Sequence, residues 1–196
     1  MSPEREFPFV FTPPMKKQLS PRVLKMLHDA LRRFPELEGR KITVGCTAAH
    51  LGSALVPLNS RAAKLTIRLK VRRLTYNTIG HEFTHLLQGL SKSHSGRGKL
   101  KHDRRIPGGE KQCDIWTLAR SSLFCDDAPT YLKLPRAVRG NWPAYARAVR
   151  RLCIAALEKR KTYRLYMRWL ESRIKDLSRK PVVVLRKDDG QLSLPF

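Results

Sequence analysis

Five residues, His81-Glu82-Phe83-Thr84-His85, place two imidazoles four positions apart with a carboxylate beside the first. On a helix that spacing puts His81 and His85 one turn apart on a common face, where both can take adjacent corners of a zinc tetrahedron. Glu82 then stands next to the first ligand, placed to take a proton from a water on the ion rather than to bind the ion itself. The chemistry this predicts is attack on a substrate by a water that the metal activates.

The motif needs a helix beneath it and a scaffold around it. Residues 75–90 carry helical spacing, with Phe83, Leu86 and Leu87 to bury the helix. Upstream, 20–34 reads as a helix capped by Ser20, with Pro21 at its first position and Val23, Leu24, Leu27 and Leu31 on one face. Strands are expected over 40–47 and 53–58, the second broken by Pro57. Over 63–73, Leu65, Ile67, Leu69 and Val71 alternate with Lys64, Thr66, Arg68 and Lys70, the period of a half-exposed strand. A basic Gly/Ser-rich loop over 91–109 leads to another helix over 109–124. One long or two shorter helices follow over 141–179. The order predicts an α+β fold.

The H-E-x-x-H helix behind a helix and a short sheet resembles the zincin-type metallopeptidases, over residues 20–130. The resemblance implies a small mixed sheet whose edge strand holds an extended substrate, and Leu65 to Val71 is the best candidate for that edge. It also implies a third protein ligand. The metzincin continuation fails, since Gln88 and Ser91 stand where its glycine and histidine belong. "GEKQCD" (109–114) fits the gluzincin pattern better, with Glu110 as zinc ligand and Asp114 hydrogen-bonded to a ligand histidine. A histidine third ligand, as in SprT-like proteases, leaves His94 and His102 as rivals. An oxyanion donor is expected too, with Tyr131 the candidate and Tyr163, Tyr166 and His102 as alternatives.

Charge points to a partner. The 196 residues hold 40 Lys+Arg against 16 Asp+Glu, a formal net charge of +24. Between 133 and 187 there are 17 Lys/Arg and three acids, so the surplus is concentrated in the C-terminal helices. Such a surface suits a polyanion, and DNA is the expected partner. Arg160, Arg164, Arg168 and Arg173 are candidate phosphate contacts, interleaved with Tyr163, Tyr166 and Trp169, which could stack on bases. Tyr166, Leu170 and Ile174 equally share the spacing of a core face. The four cysteines show no C-x-x-C spacing, which argues against a disulfide framework or a zinc ribbon. No apolar run approaches the roughly 20 residues of a membrane span. These features predict a cytoplasmic, nucleoid-associated protein without a membrane partner.

The last six residues, "QLSLPF", resemble the peptide by which bacterial replication proteins grip the sliding clamp. That resemblance assigns Gln191 to a polar subsite and Leu192, Leu194 and Phe196 to partner binding, on a tail suited to carry such a peptide. The expected organisation is an N-terminal arm (1–19), a zincin-like core (20–135), a basic helical extension (136–180) and the tail (181–196). The expected function is a zinc-dependent endopeptidase acting on DNA-associated or DNA-crosslinked proteins, recruited by DNA and the clamp, in analogy with SprT/Spartan-type proteases. The alternatives are a regulatory metalloprotease that cleaves one repressor, and a non-catalytic zinc-containing DNA-binding accessory protein.

Overall fold

A computed structural model of the chain describes residues 8–56, 64–93 and 106–179. Within them, a four-stranded mixed sheet packs on helices, and a second helical layer follows. The sheet comprises β1 (Phe9–Phe11), β2 (Ile42–Cys46), β3 (Gly52–Leu55) and β4 (Leu65–Leu69), in the order β1-β2-β4-β3. β1, β2 and β4 run parallel, with Ile42 opposite Leu65 and Val44 opposite Ile67. β3 is antiparallel to β4, with Gly52 opposite Leu69 and Ala54 opposite Ile67.

Two short helices, α1 (Pro13–Lys16) and α2 (Pro21–Leu31), join β1 to β2. Ser20 caps α2, accepting from Val23 N at 3.3 Å, and Pro21 supplies the fixed φ of a first helical residue. Segment 9–16 lies within the expected arm, yet Phe9 pairs into the sheet and Met15 is fully buried. In β4 the alternation is seen directly: Leu65, Ile67 and Leu69 are buried while Arg68 is exposed.

One correction follows from the sheet order. Leu65–Leu69 is an interior strand, hydrogen-bonded on one side to β2 and on the other to β3, and is not the edge. Alternation reports that one face is buried; it carries no information on how many neighbours the strand has. The edge is β3.

The motif helix is α3 (Tyr76–Ser93), which packs on the sheet. Its start is secured by two unrelated groups. Thr75 Oγ1 accepts from Thr78 N at 3.1 Å. Asp126, fifty residues on in sequence, accepts from Tyr76 N at 2.7 Å and Asn77 N at 2.8 Å. The first three N–H groups, which have no partner within a helix, are thereby satisfied. Farther along, a Cβ on Gly80 would lie 2.7 Å from both Thr117 and Phe124, so only glycine lets the neighbouring helix come this close.

That neighbour is α4 (Glu110–Arg120). It is followed by a short 3-10 turn (Ser122–Cys125) and by α5 (Arg136–Gly140), α6 (Trp142–Lys159) and α7 (Tyr166–Leu177). The C-terminal basic segment is therefore two helices, not one. Two hydrophobic clusters result. Phe34, Ile42, Ile67, Ile79 and Phe83 belong to the first, between the sheet, α2 and α3. Ile115, Leu118, Val149, Cys153, Leu170 and Ile174 belong to the second, between α4, α6 and α7.

Candidate metal centre

α3 and α4 bring four groups of the sequence prediction together. His81 Nε2 lies 2.9 Å from Glu110 Oε2, and His85 Nε2 lies 3.0 Å from the same oxygen. Two ring nitrogens thus converge on one carboxylate atom. Ligand atoms about a tetrahedral ion with bonds near 2.0–2.1 Å stand roughly 3.3 Å apart. The observed contacts to Glu110 Oε2, 2.9 and 3.0 Å, are a few tenths of an ångström tighter than that.

Asp114 stands behind His81. It is almost fully buried; its Oδ1 lies 2.8 Å from His81 Nδ1, and its Oδ2 accepts from Tyr131 N at 2.6 Å and Leu132 N at 2.7 Å. One carboxylate therefore orients a ring and fixes the segment that carries Tyr131. The Tyr131 ring stacks at 5.6 Å from the ring of His81, and the residue is 48% exposed in the cleft.

Glu82 is buried, and its Oε2 has no hydrogen-bond partner among the described residues. Burial pushes its carboxyl up to about 7; His81 opposes this and Glu110 adds to it. For Glu110, burial acts upward, but the two imidazoles together hold the carboxyl below its ordinary range. Burial acts downward on His81 and is outweighed by Asp114 and Glu110, so its imidazole is raised. Burial and the nearby carboxylates raise the Tyr131 phenol, which keeps it a hydroxyl donor.

These residues line a cleft of about 460 Å³. Its far wall is the edge strand β3 with the residues before it, from His50 to Ala54, and Thr130 and Tyr131 close one end. β3 comes unusually near to α3: a Cβ on Gly52 would lie 2.4 Å from Glu82 Oε1.

Three site residues escaped the sequence reading: Gly52, Gln88 and Cys113. Gln88 Oε1 lies 3.0 Å from His85 Nδ1, and Cys113 Sγ lies 3.2 Å from the same nitrogen. His81, His85 and Cys113 form a group that could hold a metal ion, their ligand atoms all lying within 4.8 Å of one another. The two donor sets differ in the side of His85 they use. Cys113 meets Nδ1, whereas Glu110 meets Nε2, the atom that points to the convergence with His81. Burial, with the nearby carboxylates of Glu110, Asp114 and Glu82, pushes the Cys113 thiol far up.

Among the predicted DNA contacts, Arg164, Arg168 and Arg173 are exposed, and Arg160 is half-buried with its guanidinium 5.8 Å from the Trp116 ring. Tyr166, Leu170 and Ile174 are buried, and Tyr166 donates to Gln112 Oε1 at 2.6 Å, so this tyrosine serves the core and not base stacking. Tyr163 is 41% exposed; Lys159 Nζ lies over its ring at 5.5 Å and over that of Trp169 at 5.3 Å. His94, His102 and the tail residues Gln191, Leu192, Leu194 and Phe196 lie outside the described residues.

Among the described residues, no helix is long and apolar enough to cross a membrane. Comparison with known protein families, curated proteins and solved structures finds no match.

Proposed function

We propose that this chain is a zinc-dependent endopeptidase acting on proteins associated with or crosslinked to DNA. One observation carries the reading: the Nε2 atoms of His81 and His85 meet at one oxygen of Glu110, with the unpartnered carboxylate oxygen of Glu82 on the same helix. Two imidazoles and a carboxylate are a donor set that suits zinc and leaves a position open. Zinc bound there would polarise a scissile carbonyl and activate water. His81, His85 and Glu110 hold the ion, and Asp114 fixes the ring of His81. Glu82 takes the proton from the attacking water and passes it to the leaving amine, a task matched by its raised pKa. The outer edge of β3, which has no strand neighbour among the described residues, can pair with an extended peptide running past Glu82. Tyr131, which lines the cleft beside the His81 ring, would donate to the developing oxyanion.

The DNA part of the proposal is supported by the surface of α6 and α7. All three acids between 133 and 179 are already ion-paired, Glu158 with Lys161, Glu171 with Lys111 and Asp176 with Arg179. Arg164, Arg168 and Arg173 are exposed and would meet phosphates. The clamp-binding tail extends this reading by tethering, which raises local concentration without new contacts at the site.

The test is proteolysis of a DNA-crosslinked protein in zinc-containing buffer, with and without added single- or double-stranded DNA. Cleavage by wild type, increased by DNA and abolished by Glu82→Gln, is the expected result. Cleavage that survives Glu82→Gln would remove Glu82 from the mechanism. No cleavage under any DNA condition would favour a second reading, a DNA-binding accessory protein with a structural metal. Cys113, a spare sulfur donor beside His85, is the observation that speaks for that reading.

A further inference from the structure

Resting on the metal-site reading above, we infer that Gln88 is the positioning residue that sets which nitrogen of His85 faces the ion and ties that histidine to the third ligand. His81 is oriented by a carboxylate, which can only accept a hydrogen bond when ionised. Among the described residues, the partners of His85 Nδ1 are the amide of Gln88 at 3.0 Å and the thiol of Cys113 at 3.2 Å. An amide can present either its oxygen or its nitrogen, so its direction must be fixed by something else.

Two carbonyls fix it. Gln88 Nε2 donates to Pro107 O at 2.5 Å and to Gly109 O at 3.3 Å. Carbonyl oxygens only accept, so the amide nitrogen must face them and the amide oxygen must face His85. That oxygen in turn only accepts, so Nδ1 of His85 carries the proton and Nε2 presents its lone pair toward His81 Nε2 and Glu110. Cys113 cannot impose this choice, because a neutral thiol both donates and accepts.

The same amide controls a second element. Gly109 is the residue before α4 and has φ 107°, a conformation that favours glycine, and Glu110 opens the helix. Gln88 thus holds the backbone from which the third ligand departs, while its oxygen holds the second ligand. Gln88 is buried, so both bonds form away from competing water.

The experiment uses the full chain loaded with zinc. Zinc affinity is measured by chelator competition, and the ring tautomer of His85 by long-range proton–nitrogen NMR. Gln88→Met, similar in size and without an acceptor for Nδ1–H, is expected to weaken zinc binding 10- to 100-fold and to disperse the His85 signal between tautomers. Gln88→Glu keeps an acceptor for Nδ1 and removes only the donors to Pro107 and Gly109. It is expected to retain a single His85 tautomer with Nδ1–H. Gln88→Met with zinc affinity within twofold of wild type and an unchanged tautomer would overturn the inference, as would mixed tautomers in Gln88→Glu. Failure of the wild-type chain itself to bind zinc would instead strike the metal reading on which the inference rests.

Discussion

Substituting alanine for Gly52 would put a methyl group where the Glu82 side chain already lies. The added carbon would stand 2.4 Å from Oε1 and 2.8 Å from both Cδ and Cγ of Glu82. A carboxylate oxygen alone could swing aside, but Cγ is also too close, so the whole side chain must move. Restoring ordinary contact takes about 1 Å of displacement. The strand cannot easily supply it, because Gly52 is paired with Leu69 in the β3–β4 ladder. Glu82 lines the cleft, so the space open to its side chain is the space that water and substrate would occupy. An error of about 1 Å in a catalytic group costs on the order of 100-fold in rate, about 2.7 kcal/mol of transition-state stabilisation. Gly52→Ala is therefore expected to lose about that factor in kcat/KM on the crosslinked substrate. Zinc content should stay at the wild-type level, since none of the proposed ligands is touched. Activity within threefold of wild type, in a variant that still folds and holds zinc, would refute the reasoning. Joint loss of zinc and activity would show that α3, which carries His81 and His85, is displaced and not the carboxylate alone.

The remaining predictions separate donor sets and test the helix start. Glu110→Gln is expected to abolish stoichiometric zinc retention after dialysis, while Cys113→Ser retains it; the reverse pattern, read by elemental analysis, would assign the ion to Cys113. Asp126→Ala removes the acceptor for two helix-start N–H groups and is expected to cost about 1–2 kcal/mol in denaturant unfolding. A change below about 0.3 kcal/mol would mean that water replaces the carboxylate at no cost.

The local features of the site were legible in the sequence, and its long-range ones were not. Helical spacing around the H-E-x-x-H motif and the i, i+4 pair of Glu110 and Asp114 are properties of single helices. Short periodicities report such features well. The identity of the edge strand depends on which segments are neighbours in the sheet. β3 reads Gly-Ser-Ala-Leu, a stretch with little β-branched or aromatic character. β4 has the stronger strand pattern and lies in the interior. Gln88 looked like a failed metzincin glycine because a glutamine on a helix has no meaning until its three partners are seen. Asp126 is fifty residues from the N–H groups it accepts from, beyond any local capping signature. Nothing local to Phe9–Phe11 specifies β2 as a partner, which is why residues 1–19 read as an arm and not as part of the sheet.

α4 explains why the basic helices and the metal site belong to one unit. Its residues alternate between two tasks at helical spacing. Glu110, Cys113, Asp114 and Thr117 face α3, where they meet His81, His85 and Thr84. Lys111, Gln112, Ile115 and Leu118 face the other way. Lys111 pairs with Glu171 at 2.8 Å, Gln112 accepts from Tyr166, and Ile115 and Leu118 enter the core shared with α6 and α7. Removing α6 and α7 would expose two fully buried aliphatic side chains and the buried Gln112 on the helix that carries Glu110. Burial of each aliphatic side chain contributes about 1.5–3 kcal/mol, so the loss would be a large share of a small domain's stability. The basic surface is consequently built onto the back of the helix that carries Glu110, the proposed third ligand. A macromolecule held by α7 is held at a fixed position relative to the cleft, with only one helix between them.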